Sequence, residues 1–174
     1  MKVLVTGGVR SGKSRHAESL WSATPSVSYV APGPSAAEDS DPDWVARIAV
    51  HQARRPAAWT TVETRDLPGA LRLDGPVLVD CLGTWLTAVL DERGLWGASS
   101  DGVTATVTDL LGDVVAVLSD RDDVVLVTNE VGLGVVPAHR SGRLFRDLLG
   151  LVNQRVATAC DEVHLVVAGR VLVL

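Results

Sequence analysis

Short apolar runs alternate with longer amphipathic stretches along the chain. The runs are nearly continuous in valine and leucine, which is typical of strands buried on both faces of a parallel sheet. Strands are predicted at Lys2–Thr6, Val27–Val30, Val77–Asp80, Val124–Thr128 and Val163–Ala168, with weaker candidates at Trp59–Glu63 and Val171–Leu174. Helices are predicted at Lys13–Ala23, Pro42–Arg54, Thr84–Leu90, Val103–Ser119 and Gly142–Ala159. The alternation indicates an α/β fold with a mainly parallel sheet, helices on both faces and right-handed crossovers.

Two segments between these elements have little capacity to form a core. Ala31–Asp43 contains three prolines and four acidic residues, and it is predicted to be a loop leading into the second helix. Asp91–Asp101, which is rich in glycine and serine, is predicted to connect two helices at the surface. Neither segment has the character of an interdomain linker, and 174 residues are the usual length of about one domain. Residues 1–174 are therefore predicted to form a single domain.

The charge of the chain narrows the range of partners. The sequence has 16 basic and 21 acidic side chains and a formal net charge of −5, and Lys2 and Lys13 are its only lysines. An acidic chain without a basic cluster argues against nucleic acid and anionic membranes as main partners. No apolar run approaches the roughly 18 residues of a membrane helix, so no membrane insertion is expected. The apolar stretch before Gly7 is too short for a secretory signal, which favours a cytoplasmic protein with Cys81 and Cys160 as free thiols.

A glycine-rich segment between the first strand and the first helix has the spacing G-x-x-x-x-G-K-S. It consists of Gly7, Gly8, Val9, Arg10, Ser11, Gly12, Lys13 and Ser14. In such a phosphate-binding loop, backbone N–H groups turn inward and bind phosphate oxygens together with the helix N-terminus. Lys13 adds positive charge to the phosphates, and the Ser14 hydroxyl is a ligand for Mg²⁺. The segment therefore predicts a site for a nucleoside triphosphate.

A magnesium site of this kind needs a carboxylate at the end of a neighbouring strand. Val77–Asp80 is an apolar strand that ends in an acid, so Asp80 is the candidate metal residue. By spacing alone, Asp80 is also compatible with an ordinary turn or helix-capping aspartate. Asp123 and Asp161 precede their strands and are poorer candidates.

The second predicted helix carries a histidine among arginines. Trp44, Ile48 and His51 share one helical face, and Arg47 and Arg54 lie close to His51 at helical spacing. Positive charge beside a histidine favours the neutral ring, which leaves a nitrogen free to act as nucleophile or base. The arginines are suited to binding phosphate oxygens. From the local sequence alone, a surface histidine without a catalytic role remains the alternative.

Five segments in a fixed order carry a resemblance to a known family. They are Gly7–Glu18, Arg47–Glu63, Val127–Pro137, Phe145–Arg155 and Leu165–Gly169. Together they span nearly the whole chain, which resembles the bifunctional adenosylcobinamide kinase/adenosylcobinamide-phosphate guanylyltransferases of cobalamin biosynthesis.

The resemblance implies a RecA-like P-loop fold, two reactions and a homotrimer. Members phosphorylate the aminopropanol hydroxyl of adenosylcobinamide with ATP or GTP in the presence of Mg²⁺. They then transfer GMP from GTP to adenosylcobinamide phosphate, which releases pyrophosphate and gives adenosylcobinamide-GDP. The second reaction passes through a guanylylated histidine, whose position matches His51.

The resemblance also implies which residues form the site. His51 and Lys13 are expected to be catalytic, and Ser14 and Asp80 to bind the metal. The nucleotide is expected to contact the phosphate-binding loop, Asp80, and also Gln52, Ala53, Arg54, Arg55 and Glu63. Pro32, Gly33 and Pro34 match a nucleotide-contacting loop in position only.

Two other functions remain open on the sequence itself. A plain small-molecule kinase needs the phosphate-binding loop and Asp80 but not His51. A non-catalytic GTP-binding protein binds GTP without turning over cobinamide. No general base for the kinase step can be named, although Asn129 and Glu130 end a strand where ligands gather in parallel sheets.

Overall fold

The computed structural model describes residues 1–174 and places seven strands in one sheet. The strands are β1 (Lys2–Gly7), β2 (Ser28–Ala31), β3 (Thr60–Glu63), β4 (Val77–Asp80), β5 (Val124–Val127), β6 (Glu162–Val167) and β7 (Arg170–Val173). The helices are α1 (Lys13–Leu20), α2 (Pro42–Arg54), α3 (Leu67–Leu71), α4 (Leu82–Glu92), α5 (Ser100–Ser119) and α6 (Arg140–Ala157), and a 3₁₀ turn spans Leu95–Gly97. The strand order is β3-β2-β4-β5-β1-β6-β7, and only β7 is antiparallel to its neighbour. The predicted α/β fold with a mainly parallel sheet is confirmed.

The predicted strands agree with the observed ones to within one residue, whereas each predicted helix except Pro42–Arg54 differs at one or both ends. α1 stops at Leu20 instead of Ala23, because the Trp21 N–H donates to the Glu18 carbonyl in a tighter turn and the Trp21 ring enters the core. α5 begins before Val103, because the Ser99 hydroxyl accepts a hydrogen bond from the Gly102 N–H at 3.3 Å and caps the helix.

One helix has no counterpart in the prediction. α3 is five residues long and contains Pro68 and Gly69, so it produces no helical periodicity in the sequence. Asp66 caps it by accepting a hydrogen bond from the Gly69 N–H at 3.0 Å. A short capped turn of this kind is recognisable only once the chain has folded.

The two faces of the sheet are covered unequally. Residues of α3, α4, α5 and α6 form the larger core on one face, whereas Ala17 of α1 and Trp21, which directly follows α1, belong to a smaller core on the other. Consecutive residues of β1 divide between them, since Leu4 lies in the larger core and Val5 in the smaller one. This explains why the central strands read as continuous apolar runs.

The longest helix belongs to the larger core. By length and composition alone, α5 is the one helix that could cross a membrane. Its buried residues recur at helical spacing and join the larger core; they are Val103, Val107, Leu111, Val114 and Leu118. The apolar character of α5 is therefore accounted for by packing within the protein.

The helix that carries His51 stands apart from both cores. α2 begins after Asp41, whose carboxylate accepts hydrogen bonds from the N–H groups of Asp43 and Trp44, each at 3.0 Å. None of its residues is buried. The half-buried residues are Trp44, Ile48, His51 and Arg54. They share one face, as the sequence pattern predicts, and this face turns the histidine toward the sheet.

The acidic, proline-rich loop between β2 and α2 is tied to its surroundings by polar contacts. The Trp44 indole N–H donates to the Pro34 carbonyl at 3.0 Å. Glu38 accepts hydrogen bonds from the Ser35 N–H at 2.8 Å and from Arg65 at 2.9 Å, which lower the pKa of Glu38 to about 2. The loop therefore has a defined course past the carboxyl end of β2.

Candidate active site

The phosphate-binding loop joins β1 to α1, as predicted. Gly12 precedes α1 with φ of 97°, a left-handed conformation that favours glycine. At Gly7, an added Cβ would lie 2.4 Å from the Val166 carbonyl oxygen of the neighbouring strand, which leaves no room for a side chain. These two glycines of the motif are therefore required by the course of the backbone, whether or not a ligand is bound.

Replacing Gly7 is expected to destabilise the folded chain. In Gly7→Ala the new methyl group would meet the Val166 backbone oxygen, and we expect the free energy of unfolding to fall by about 3 kcal/mol. Urea denaturation measures this change. The matched control is Gly8→Ala, where nothing lies within 4 Å of the added Cβ, and its stability should change by less than about 0.5 kcal/mol. Equal losses in the two variants would contradict the steric explanation.

The turn between β6 and β7 supports the loop from outside. The Gly169 N–H donates to the Ser11 carbonyl at 2.8 Å. The Gly169 Cα lies 3.5 Å from the position that a Cβ on Gly12 would occupy. Ala168 and Gly169 have φ values of 49° and 75°, which suits a tight reversal between antiparallel strands. Contacts within the protein, from the β6–β7 turn, therefore support the shape of the phosphate-binding loop.

Lys13 lies at the start of α1 and is buried, with 8% of its surface exposed. Its Nζ donates a hydrogen bond to the Gly8 carbonyl at 3.2 Å. Burial lowers the pKa of Lys13, although Cys81 and Asp80 act in the opposite direction. An ammonium group has three donors. Phosphate oxygens are well suited to accept hydrogen bonds from the Lys13 donors that the protein leaves unused.

Asp80 ends β4 and is separated from β1 by β5 alone. Its side chain is 7% exposed, and its Oδ2 accepts a hydrogen bond from the Tyr29 hydroxyl at 2.8 Å. Burial raises the pKa of Asp80, but hydrogen bonds from His51, Tyr29 and Ser14 outweigh burial and hold the pKa below its usual value. The result is an ionised carboxylate beside the phosphate-binding loop.

His51 lies between a carboxylate and a guanidinium. Its Nδ1 is 3.5 Å from Asp80 Oδ2 and 3.4 Å from Arg54 Nη2. The side chain is 25% exposed, so the ring is partly open to solvent. The structure thus brings together His51, Asp80 and the start of α1, which are distant in the sequence.

Two arginines fasten the end of α2 to the rest of the protein. Arg54 donates two hydrogen bonds to Glu18 of α1, at 2.9 and 3.2 Å. Arg55 donates to the Thr61 hydroxyl at 2.8 Å, and its guanidinium carbon lies 3.4 Å from the centre of the Tyr29 ring. Both guanidinium groups are therefore positioned by protein contacts.

The remaining residues predicted for the nucleotide are less closely connected. Pro32 is buried, and the space beside Gly33 is filled by Thr84 and Trp44. Gln52 and Ala53 are exposed on α2, and Glu63 is exposed at the end of β3. The Glu63 side chain makes no hydrogen bond or ion pair in this structure, but Glu63 is the register partner of Ala31, which ends β2. The structure therefore places these residues near the same edge of the sheet, but their side chains make no hydrogen bond or ion pair with Asp80 or His51.

Sequence reasoning missed two residues that hold the cluster together. Glu18 binds Arg54, and Tyr29 contacts both Asp80 and Arg55. Tyr29 is the only tyrosine of the chain, which was the available signal. Nothing in the local pattern distinguishes Glu18 from an ordinary helix-surface residue.

The arginines near the start of α6, whose role the sequence leaves open, shape neighbouring loops. Their guanidinium groups donate to backbone carbonyls: Arg140 to Trp96 and Ala98, Arg143 to Pro137 and Ala138, and Arg146 to Gly132. His16 is likewise engaged within the protein, by a hydrogen bond to His164 at 2.8 Å.

Three features of the site follow the plan of P-loop nucleotide-binding proteins. A strand leads into a glycine-rich loop, a buried lysine begins the next helix, and an acid ends a strand two places away in the sheet. Residues 3–174 match the family described as cobinamide kinase / cobinamide phosphate guanyltransferase. The chain belongs to this family, which confirms the resemblance, and it is a transferase that phosphorylates cobinamide and guanylylates the phosphate.

Curated relatives extend over nearly the same length. The bifunctional adenosylcobalamin biosynthesis protein CobU of Salmonella typhimurium is 42% identical over 179 residues, and that of Escherichia coli is 41% identical over 182 residues. Each match covers 97% of this chain and 97% of the relative. The bifunctional adenosylcobalamin biosynthesis protein CobP of Pseudomonas aeruginosa is 40% identical over 178 residues, which cover 97% of this chain and 94% of CobP.

Proposed function

We propose that both reactions take place where His51 and Asp80 meet the phosphate-binding loop, and that His51 carries the guanylyl group. The distance of 3.5 Å between His51 Nδ1 and Asp80 Oδ2 is the observation that carries this proposal. His51 lies on a helix that has no buried residues, and this contact pairs it with an ionised carboxylate beside the phosphate-binding loop. Such a contact orients an imidazole for covalent catalysis.

The two neighbours of His51 Nδ1 require opposite states of that nitrogen. A carboxylate accepts a hydrogen bond from a protonated Nδ1. A guanidinium instead donates a hydrogen bond to the lone pair of an unprotonated Nδ1. Arg54 has further N–H donors beyond its two hydrogen bonds to Glu18, so those bonds do not decide between the two states. We propose that the buried, ionised carboxylate of Asp80 decides it, by accepting from Nδ1. Nδ1 then carries the proton and Nε2 offers its lone pair, so Nε2 is the nucleophile.

Guanylyl transfer then proceeds in two steps. Nε2 of His51 forms a bond to the α-phosphorus of GTP while the bond from that phosphorus to the oxygen of the departing pyrophosphate breaks. Asp80 balances the positive charge of the substituted ring. An oxygen of cobinamide phosphate next attacks the same phosphorus, the P–N bond breaks, and His51 returns to its neutral form with the proton still on Nδ1.

The phosphate-binding loop serves both reactions because both leave negative charge on phosphates held in the same place. That charge develops on pyrophosphate in the guanylyl step, and on the nucleoside diphosphate when ATP or GTP phosphorylates cobinamide. Lys13 and the backbone N–H groups of residues 7–14 stabilise it in each case. The kinase step otherwise requires positioning, with little covalent work for the protein.

We also propose that Ser14 and Asp80 hold Mg²⁺. One hydroxyl and one carboxylate are hard oxygen ligands, and Mg²⁺ characteristically combines few protein ligands with substrate phosphates and water. The lowered pKa of Asp80 suits this role, because the carboxylate stays ionised. When bound, Mg²⁺ neutralises phosphate charge. The affinity of the chain for GTP should therefore rise with Mg²⁺, and Asp80→Asn should shift that rise to higher Mg²⁺ concentrations.

Contacts to the rest of the nucleotide are proposed for the residues at the same edge of the sheet. They are Pro32, Gly33, Pro34, Gln52, Ala53, Arg54, Arg55 and Glu63. Arg55 has the strongest support, because its guanidinium is fixed by Tyr29 and Thr61 while its Nε is buried without a partner. Arg55→Ala should weaken GTP binding, and unchanged affinity would remove Arg55 from the set.

The test of the proposed function is a single incubation. The purified chain is mixed with adenosylcobinamide, GTP and Mg²⁺, and the corrinoid products and pyrophosphate are measured by mass spectrometry and coupled assay. Adenosylcobinamide-GDP and one pyrophosphate per product are expected. Phosphorylated cobinamide without pyrophosphate would favour the plain kinase, and cobinamide-independent GTP binding alone would favour a non-catalytic protein.

We further propose that the chain forms a homotrimer in the cytoplasm. Leu133, Val135 and Val136 are 85%, 95% and 63% exposed, so the loop before α6 offers apolar surface to another copy. Cys81 and Cys160 are free thiols, which suits a reducing compartment. Sedimentation equilibrium of the purified chain tests the trimer, and cell fractionation tests the compartment.

A further inference from the structure

Tyr29 occupies the middle of the site without being exposed. It lies on β2 in the smaller core, with 1% of its surface accessible. Its register partners are Leu78 of β4 and Thr61 of β3, so it sits between the strand that ends in Asp80 and the strand that contacts Arg55. The buried Tyr29 side chain therefore has Asp80 on one side and Arg55 on the other.

The hydroxyl of Tyr29 is directed to the carboxylate. It donates a hydrogen bond of 2.8 Å to Asp80 Oδ2, the same oxygen that lies 3.5 Å from His51 Nδ1. The hydroxyl is the donor of this pair, because an ionised carboxylate only accepts hydrogen bonds. A donor fixed in a buried strand restricts the orientations open to the Asp80 carboxylate.

The ring of Tyr29 supports the guanidinium. The Arg55 guanidinium carbon lies 3.4 Å from the ring centre, and the Thr61 hydroxyl accepts from the same group at 2.8 Å. Arg55 Nε is buried and has no hydrogen-bond partner. An arginine held flat on an aromatic ring retains N–H donors at its edge for an oxygen of a ligand.

We propose that Tyr29 is a positioning residue that acts on the nucleotide site in two separate ways, through its hydroxyl on Asp80 and through its ring on Arg55. This inference deepens the proposed function and rests on it, because Asp80 and Arg55 are assigned there to the metal and the nucleotide. The two parts of one side chain then control two measurable properties. The hydroxyl controls how strongly Mg²⁺ promotes GTP binding, and the ring controls how strongly GTP binds without metal.

Two substitutions separate the two parts. Tyr29→Phe removes the hydroxyl and keeps the ring, whereas Tyr29→Leu removes both. Titration calorimetry with GTP, in EDTA and then at increasing Mg²⁺, measures both properties without turnover. For Tyr29→Phe we expect the magnesium midpoint to rise about tenfold, as for the loss of a hydrogen bond to a charged group, with metal-free affinity unchanged. For Tyr29→Leu we expect, in addition, about fivefold weaker metal-free binding, as for the loss of a cation–π contact.

Double variants test whether Tyr29 acts through the two named residues. Tyr29→Phe should have no further effect on the magnesium midpoint in an Asp80→Asn chain, and Tyr29→Leu no further effect on metal-free affinity in an Arg55→Ala chain. Full additivity in either pair would overturn the corresponding part of the inference. A loss of metal-free affinity in Tyr29→Phe equal to that in Tyr29→Leu would overturn the separation.

The experiment also distinguishes this inference from the proposed function. If Asp80→Asn and Arg55→Ala alone leave GTP binding unchanged, their proposed roles fail and the inference about Tyr29 fails with them. If they weaken binding as expected and the Tyr29 variants do not, the inference alone fails. Trp59→Phe, which alters another buried aromatic residue of the smaller core, controls for general disturbance of packing, and thermal unfolding of each variant confirms that it is folded.

Discussion

In His51→Ala, incubation with GTP labelled at the α-phosphate should leave no acid-labile label on the protein. Guanylyl transfer should fall by at least about 10⁴-fold, because the group that forms the covalent intermediate is gone. Phosphorylation of cobinamide by ATP should continue, since the phosphate-binding loop and Asp80 remain. The measurement is radiolabel on denatured protein, together with separate assays of the kinase and guanylyl steps. This result would show that guanylyl transfer needs His51, whereas the kinase step needs only the other residues of the same site.

Two substitutions serve as controls for this experiment. Val50→Ala alters the neighbouring position on α2, where the side chain is 57% exposed, and His139→Ala removes a histidine that is exposed outside the site. Both variants should label like the native chain. Label that persists in His51→Ala would exclude His51 as the nucleophile and would leave the family assignment intact.

Lys13→Met should slow both reactions while leaving the free protein no less stable. Removing the ammonium group should lower each rate by about 10²–10³-fold, the usual effect of deleting one donor to a developing oxyanion. Burial of Lys13 lowers its pKa, which means that the folded protein disfavours its charge. An apolar side chain of similar length relieves that cost. Thermal unfolding should therefore give an unchanged or higher melting temperature, and GTP should no longer raise it.

The other lysine of the chain provides the matched control. The one hydrogen bond of the Lys2 side chain is exposed and runs from its Nζ to the Ser119 carbonyl. Lys2→Met should keep both activities and the stabilisation by GTP. A Lys13→Met chain that still gains stability from GTP would contradict the role assigned to the lysine.

Much of the fold could be predicted because it rests on strong local signals. The strands at the centre of the sheet are buried on both faces, so their sequences are nearly continuous in valine and leucine. α2 is bounded by a capping aspartate and a proline at one end and leads into Arg55-Pro56 at the other, and its predicted limits are those observed. α3 could not be predicted, because five residues with a proline and a glycine leave no periodic pattern.

The candidate site could be predicted only in part for a similar reason. The phosphate-binding loop is a continuous motif, so the spacing of its glycines, lysine and serine can be recognised directly in the sequence. The contacts of Asp80 with Tyr29 and His51 join β4 to β2, its neighbour in the sheet, and to α2, although β3 and α3 lie between them along the chain. The ion pair between Glu18 and Arg54 depends on how α2 lies against α1. No local pattern encodes such contacts, since they arise from the topology of the sheet.

The position of β1 has a consequence for the order in which the protein is made. β1 lies between β5 and β6, and the turn at Gly169 supports the loop that follows β1. A nascent chain that has emerged only as far as β4 carries the complete phosphate-binding sequence but neither strand that flanks it. The motif is thus translated early and becomes a binding site late, when its neighbours arrive. GTP is accordingly expected to stabilise chains whose sheet is finished rather than earlier stages of synthesis.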